Sequence, residues 1–523
     1  MSAIITEKFR LHNAEQFYES FTETSSSTYY FFIGKHSSYI DDDNYGYSAN
    51  DNVPPPPRDD VQTEYYKWDS MLAAKLISSA DVSYVIPRVD WKTNTTFDMY
   101  QHDIRGPQGT DTVGNVATNG ATSLWNSSFY FMTEDYRVYK VLDNNGGSQF
   151  TGVKPEESTP GVPFYAGGYY LLYMYTLTTT QVEKFLTNDF MPVSVDTAVS
   201  QAAENNSGAI QVLRITPGAG YLDPNNNNNF TVYSPIRGDG SDGVVEIVVS
   251  GGAIQPFGNG DISGNTIVYD AGQNYTYATV DLSDVYEEPE LLTQTSMGAS
   301  IDGVTGGLGG LIEPIIPPKV GHGYNAIEEL GGHFVMMNAR LEQSEGDDLT
   351  VANDFREIGI VVDPLNYGTL TKSTAVTRRQ SFAVKFTNAP TTDFIIDEKI
   401  TQSTTGAVGR VVEWDADNNI LYYLQERHSG YGVNSARNYV PFSGANTITG
   451  DLVSNGGSGA SAVPSSETSE IVTLSGGNNI EFSNGYCLPE LEPDSGKIIY
   501  VENRRPISRA PDQTEDIKII VEF

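Results

Sequence analysis

SGKIIYVENRRPISRAPDQTEDIKIIVEF, residues 495–523, holds two apolar runs that decide how the chain is read. Ile498, Ile499, Tyr500 and Val501 form a short run of β-formers, and Asn503 to Pro506 are expected to break it. The second run alternates: Ile517, Ile519, Val521 and Phe523 point one way, Lys518, Ile520 and Glu522 the other. A period of two is the mark of a half-buried strand with its apolar face on a core. A terminus frays unless something holds it, so a segment apolar to its last residue is expected to be pinned into a sheet. Arg504, Arg505 and Arg509, beside Glu502 and Asp512, are candidates to brace the turn, against the alternative of solvated surface charges.

Composition sets the class. The chain has 523 residues, enough for three or four domains and a sizeable core. It holds 50 Gly, 32 Tyr and 22 Phe but few helical patterns, which predicts a mainly β protein with many turns. The net charge of −36, with no basic patch, argues against binding a nucleic-acid backbone and suits solubility or docking on basic surfaces. Cys487 is the sole cysteine, which excludes an intramolecular disulfide and a cysteine zinc cluster. MSAIITEKFRLHN lacks the apolar core of a signal peptide, and no run approaches the ~18 apolar residues of a membrane span. The expectation is therefore a protein kept in a cytoplasm or in a particle assembled there, where the N-x-S/T sites at Asn94 and Asn126 carry no glycan.

Along the chain, residues 3–9 read as a strand and NAEQFYESF as a short helix capped by Asn13 with Gln16, with Phe17 and Phe21 on one face. YYFFIG (29–34) is a buried strand, and 41–58 an acidic, proline-rich loop. Tyr65, Trp68, Leu72 and Leu76 recur at helical steps and predict a helix over about 62–78 with a core-facing stripe. SYVIPRVDW follows at 83–91. FYFMTEDYRVYKVL (129–142) alternates and ends in a DNNGG turn, and YYLLYMYTL (169–177) is the most apolar strand. IQVLRITPGAGYLDP (210–224) is echoed by GNTIVYDAGQNYTYATV (264–280), an internal repeat, with NNNNN at 225–229 as an exposed loop tip. TGGLGGLIEPIIPP (305–318) reads as a linker or clamp, FREIGIVVDPL (355–365) as a return to strands, and GSGASAVPSSETSE (457–470) as linker-like. Several short strands lie between, suggesting a small barrel or sandwich.

Three of these stretches carry a resemblance. IIYVENRRPISRAPDQTEDIKIIVEF resembles the C-terminus of the small dimeric baseplate wedge subunits of T-even contractile phages, where a YMENR-P stretch leads to DQTE and a final alternating strand. SYVIPRVDW is similar to the family's VIPR-DW stretch, which Asp98 and Tyr100 continue more loosely, and FREIGIVVDPL to its FRQISIITNPL. The 129–142 strand and its turn likewise resemble a YRCLD-like run before a proline-rich loop, here VKPEESTPGVPF. The predicted organisation is a split core at 1–195, 320–388 and 484–523, carrying a Gly-rich β-repeat insertion and linker at 196–319 and a small β-barrel or sandwich insertion at 389–483. The modules are β-sandwich- or barrel-like, with a few short helices. What the resemblance implies is a structural subunit of the virion's tail baseplate, made and assembled in the host cytoplasm. It would be a homodimer bound to other wedge proteins, contacting neither nucleic acid nor membrane.

No constellation rises to a catalytic, cofactor-binding or metal site. Asp415, Asp417, Asn419 and Glu426 fall at positions one, three, five and twelve of a calcium loop, but Ile420 stands where the turn wants Gly and the flanks alternate like strands. A hairpin turn using Asp and Asn for backbone hydrogen bonds is the preferred reading. His322 and His333 lack an HExxH pattern or a cysteine partner. TGGLGG lacks the GK[ST] of a phosphate loop, no GxSxG occurs, and sequence spacing alone does not make Glu287 and Glu290 a glycosidase pair. Two rivals to the structural reading stand: a receptor- or carbohydrate-binding tail module, favoured by the Tyr-rich inserts, and a glycan-cleaving tail enzyme, favoured only by abundant carboxylates.

Overall fold

The computed structural model describes residues 4–23, 27–39, 50–104, 121, 123–223, 225–258, 264–289, 307–427, 433–436, 438–510 and 512–523. The protein is mainly β, with antiparallel sheets and a few short helices. It divides into two compact units, each built from segments far apart in sequence. One comprises Met1–Glu15, Ser83–Met336 and Val521–Phe523; the other comprises Gln16–Val82 and Met337–Ile520.

The second unit is organised on a five-stranded antiparallel sheet. Its strands run in the order Thr377–Arg379, Met71–Ile77, Tyr29–Gly34, Phe355–Val362, Lys497–Ile507. Every residue of YYFFIG is buried, because this central strand has a neighbour on each edge and side chains packed on both faces. Tyr30, Phe32, Trp68, Met71, Ala74, Val361 and Leu491 form the core beneath it. Gly359 is fixed by that packing: a Cβ there would lie 2.3 Å from the Phe32 ring.

Several local expectations are corrected here. The 62–78 helix ends at Ser70; Val61–Ser70 is helical, capped by Asp60 accepting from the Gln62 and Thr63 amides at 3.1 and 2.9 Å, and Met71–Ile77 is a strand. MLAAKLI is a good helix sequence, but pairing with Tyr29–Gly34 overrides its propensity. The first C-terminal strand is not broken at Asn503–Pro506 but runs through it to Ile507. It lies at the edge of the sheet and shifts register between Phe355 and Glu357, so Pro506 sits where a missing amide is tolerated. Residues 4–6 form no strand: the first helix already spans Glu7–Glu19, and Asn13 lies inside it rather than at its cap. Thr6 Oγ1 accepts from the Phe9 amide at 3.3 Å, and Phe17 and Phe21 do meet edge-to-face at 5.3 Å.

The final strand is held as predicted: Thr514–Glu522 lies beside Phe334–Glu342 in a sheet. Of the three arginines, Arg509 makes the brace. It is buried and donates to Glu515 at 3.0 Å and to the Thr350 carbonyl at 3.1 Å, whereas Arg504 is exposed and pairs with Glu502.

The rest of this unit is a seven-stranded sheet made from residues between Phe382 and Cys487. Its order is Ser461–Ala462, Ile448–Gly450, Lys399–Gln402, Ala407–Asp415, Ile420–Leu424, Phe382–Lys385, Tyr486–Cys487. It has a core of its own around Phe386, Ile400, Val411, Leu421, Tyr423 and Phe442. The stretch at 457–470 is no linker: Ser461–Ala462 pairs with Ile448–Gly450, and Glu398 accepts from the Ser458 amide and hydroxyl at 2.8 and 2.7 Å.

In the first unit, Arg137–Asp143 and Tyr169–Thr176 pair at the centre of a four-stranded sheet flanked by Tyr130–Met132 and Phe164–Ala166. The 129–142 run thus holds two strands, turned at Thr133–Tyr136. A second sheet contains Phe230–Gly238 and Val244–Ser250 over Val232, Val245, Ile247 and Ile254. The two repeat copies occupy different sheets: Leu213–Ala219 pairs with Leu308–Pro314, whereas Ile267–Asp270 pairs with Val244–Ser250. The glycine stretch read as a linker is therefore part of a ribbon. Gly218 has φ +62°, and a Cβ there would meet the Gly310 amide at 2.5 Å, so glycine is required where the two strands approach. The asparagine run at 225–229 is exposed around a turn in which Asp223 accepts from the Asn225 and Asn227 amides.

Candidate functional site

The second unit holds a cleft of about 580 Å³ lined by Asp347, Thr350, Glu413, Trp414, Asp415, Asp417 and Tyr422 among others. Three local structures build it. The Ala407–Asp415 strand carries Glu413 inward, where Thr350 Oγ1 donates to it at 2.8 Å; burial pushes this carboxyl up, and the charges of Asp347 and Asp415 add to the effect. Asp347 sits in a left-handed turn at φ +77° and accepts from the Gly476 amide and from the Ser475 hydroxyl at 2.5 and 3.2 Å. Asp415 closes the hairpin turn, accepting from Asn418 N and Nδ2 at 3.0 and 2.7 Å.

That turn is the expected hairpin. Asn419 takes the left-handed conformation at φ +53° and Ile420 starts the next strand, fully buried. Asp415 and Asp417 line the cleft, while Glu426 lies buried beyond the second strand, where its charge acts on His36. The twelve-residue pattern thus places its ligand candidates apart. Among the described residues no group of three or more His, Cys, Asp or Glu could hold a metal ion.

The other candidates are scattered as well. His322 is buried edge-on against Tyr100 at 4.9 Å, and burial, with the Lys140 charge, drives its pKa well below the usual value. His333 packs instead on Phe334 at 4.3 Å. Glu287 is exposed and Glu290 lies outside the described residues, as do Thr305 and Gly306 of the glycine stretch. Cys487 is half-buried with Arg379 Nη2 at 3.1 Å from its sulfur, and burial pushes its thiol up.

Sequence reasoning missed the buried ion pairs. Lys140 and Glu329 are fully or nearly enclosed and meet at 2.7 Å, with Lys140 Nζ also 4.1 Å from the Tyr100 ring centroid. Burial pulls the Lys140 ammonium down while Glu329 works against it. Lys67 and Glu357 form a second pair in the other unit. The available signal was a lysine flanked by apolar residues on a strand, as in RVYKVLD.

Residues 3–145 match the family model of bacteriophage T4 Gp8. Gp8 is a baseplate wedge protein, and the match supports a structural role in a phage baseplate. It takes in SYVIPRVDW and the strands and turn at 129–145, and it stops short of 355–365 and 495–523. No curated protein matches the chain.

Proposed function

We propose that the chain is a structural subunit of the baseplate wedge of a contractile phage tail, dimerising and docking on other wedge proteins as the baseplate assembles and contracts. The match over residues 3–145 carries this reading. The fold extends its reach, since Tyr29–Gly34, inside the matched segment, pairs with Phe355–Val362, outside it. The matched strands therefore do not stand as a module separate from the rest of the sheet. A strongly acidic surface suits docking on basic neighbours, and enclosed apolar residues rather than rim charges would carry the affinity. The split core, the homodimer, assembly in the host cytoplasm and the lack of catalysis all belong to this proposal. Sedimentation of the purified chain, alone and with co-expressed wedge proteins, tests it: a dimer that joins its partners in a larger complex is expected, and a monomer that ignores them overturns it.

One observation favours a second reading as a carbohydrate-binding module. In the β-repeat insertion Tyr269 and Tyr277 are 52% and 62% exposed, and Tyr269 meets Tyr233 edge-to-face at 5.3 Å. Glycan-array binding by the intact chain, lost in Tyr269→Ala, would support it.

A further inference from the structure

A bulge in the Ala407–Asp415 strand decides what the 580 Å³ cleft presents. Val411 and Trp414 both pack on the core of the seven-stranded sheet, although residues an odd number apart point to opposite faces of a regular strand. The register shift between Val411 and Glu413 takes up the odd residue and sets Glu413 opposite Tyr422 on the other face. Cross-strand neighbours of this kind have Cβ atoms about 4.5–5.5 Å apart, so carboxylate and phenol line the cleft side by side. Tyr422 is only 6% exposed, yet its hydroxyl has no hydrogen-bond partner among the described residues. A buried hydroxyl is ordinarily paired, and one left open toward a cavity marks where a guest's polar group belongs.

The rest of the lining states the guest's charge. Asp347, Glu413, Asp415 and Asp417 line the cleft; among the described residues the lining holds no Lys or Arg, and none of the four is ion-paired. Two of them are held by their own turns. Asp347 accepts from Ser344, Ser475 and Gly476, and Asp415 accepts from Asn418. Glu413 uses one oxygen on Thr350 and Asp417 is exposed, which leaves the second Glu413 oxygen, the Asp417 carboxylate and the Tyr422 hydroxyl as open acceptors. Arg379 also acts on that hydroxyl, but it lies outside the lining and donates to the Ser381 and Leu488 carbonyls. The walls are set in advance: a Cβ on Gly476 would lie 2.6 Å from the Gly346 backbone.

We infer that this cleft is a docking site for an arginine-bearing segment of a neighbouring protein, its guanidinium held by Glu413 and Asp417 against the Tyr422 hydroxyl oxygen. That the neighbour is a wedge protein rests on the function proposed above; the chemistry of the cleft does not. A guanidinium carries donors only, in a planar fork that matches carboxylates, and it relieves the repulsion that Asp347 and Asp415 exert on Glu413. A metal ion lacks its ligand set, since among the described residues no group of three or more His, Cys, Asp or Glu could hold one. A sugar lacks a ring face to stack on. The Trp414 indole is turned onto Phe386 and Phe394, at 6.0 and 5.6 Å, and donates to Asp393, while the Tyr422 ring is buried. The volume falls within the about 300–1,000 Å³ of ligand-holding sites, so a short segment enters rather than one side-chain tip.

Calorimetry of the full chain tests this, with an Arg-Gly hexapeptide blocked at both ends as the probe and its Glu-Gly counterpart and cellohexaose as comparisons. The titrations are run at about 0.15 M salt, where exposed charges are screened beyond about 8 Å. Saturable binding of the arginine peptide alone is expected, weakened about tenfold or more by Glu413→Gln and about two- to tenfold by Tyr422→Phe. Tyr422→Phe changes no charge, so general attraction to an acidic chain does not account for its effect. Glu413→Gln still accepts from Thr350 and Tyr422→Phe removes an unbonded hydroxyl, so both should keep the wild-type unfolding transition. Glu288→Gln, at an exposed acid of the other unit, should bind as the wild type does. The inference is overturned if the arginine peptide shows no saturable binding, if Glu413→Gln and Tyr422→Phe bind it as the wild type does, or if Glu288→Gln weakens it equally. It is likewise overturned if cellohexaose binds in place of the peptide. No baseplate protein enters this titration, so its failure counts against the cleft alone, whereas the wedge-subunit reading fails separately, in sedimentation with wedge proteins.

Discussion

Trp68 shows how a single side chain can be legible while its surroundings are not. Its place in an aromatic stripe predicted core packing, and it is 3% exposed against Tyr30, Met71 and Leu491, in the same cluster. Trp68→Ala is expected to destabilise by about 3–5 kcal/mol in urea unfolding, and a loss under about 1 kcal/mol would show that the indole is not core. Lys140 was not legible. A charged residue reads as surface, and only three-dimensional enclosure by Tyr100, His322 and Glu329 shows otherwise. Lys140→Ala leaves the Glu329 carboxylate buried without its cation and should cost about 3–5 kcal/mol; the paired change Lys140→Met with Glu329→Gln should cost much less. Equal losses in the single and double variants would sink that account.

At the scale of elements, a continuous apolar run and, at the C-terminus, alternation were the most reliable signals. YYFFIG, YYLLYMYTL and the final strand are all where their patterns put them. Deleting residues 515–523 is expected to leave the chain insoluble or without a cooperative melting transition, since it strips the neighbour of Phe334–Glu342; an unchanged transition counts against a sealing role. What misled was local propensity set against pairing: MLAAKLI looks helical, and TGGLGG and GSGASA look like linkers. Strand pairing decides each: MLAAKLI and Leu308–Gly310 pair with strands tens of residues away, and Ser461–Ala462 with a strand about a dozen residues before it. The calcium-like pattern failed for a related reason, because a strand after Asn419 sends Glu426 away from Asp415. Calorimetry should find calcium binding to the hairpin no tighter than millimolar, and micromolar binding lost in Glu426→Ala would refute the hairpin assignment.

For the whole molecule, the mainly β class followed from composition, while no periodicity in the sequence shows which distant segments come together. The segment matching Gp8 shares a sheet with later parts of the chain, and Tyr29–Gly34 would lose its Phe355–Val362 neighbour if the chain were cut at 145. A fragment of residues 1–145 should therefore be recovered insoluble or largely unfolded, and a soluble fragment with a cooperative transition would show that the N-terminal part folds alone.

The central position of YYFFIG in the core sheet also sets a clock on biosynthesis. Its partner on one side, Met71–Ile77, follows within a few dozen residues, but the other lies roughly 330 residues downstream. At about 5–20 residues per second of translation, that edge waits on the order of 16–65 s for its neighbour to leave the ribosome. For that interval the nascent chain presents an apolar strand edge to its surroundings, and the sheet closes only after most of the protein has been made. Expression yield should thus respond to holdase chaperones and to elongation rate, with slow translation between residues 77 and 355 lengthening the exposure.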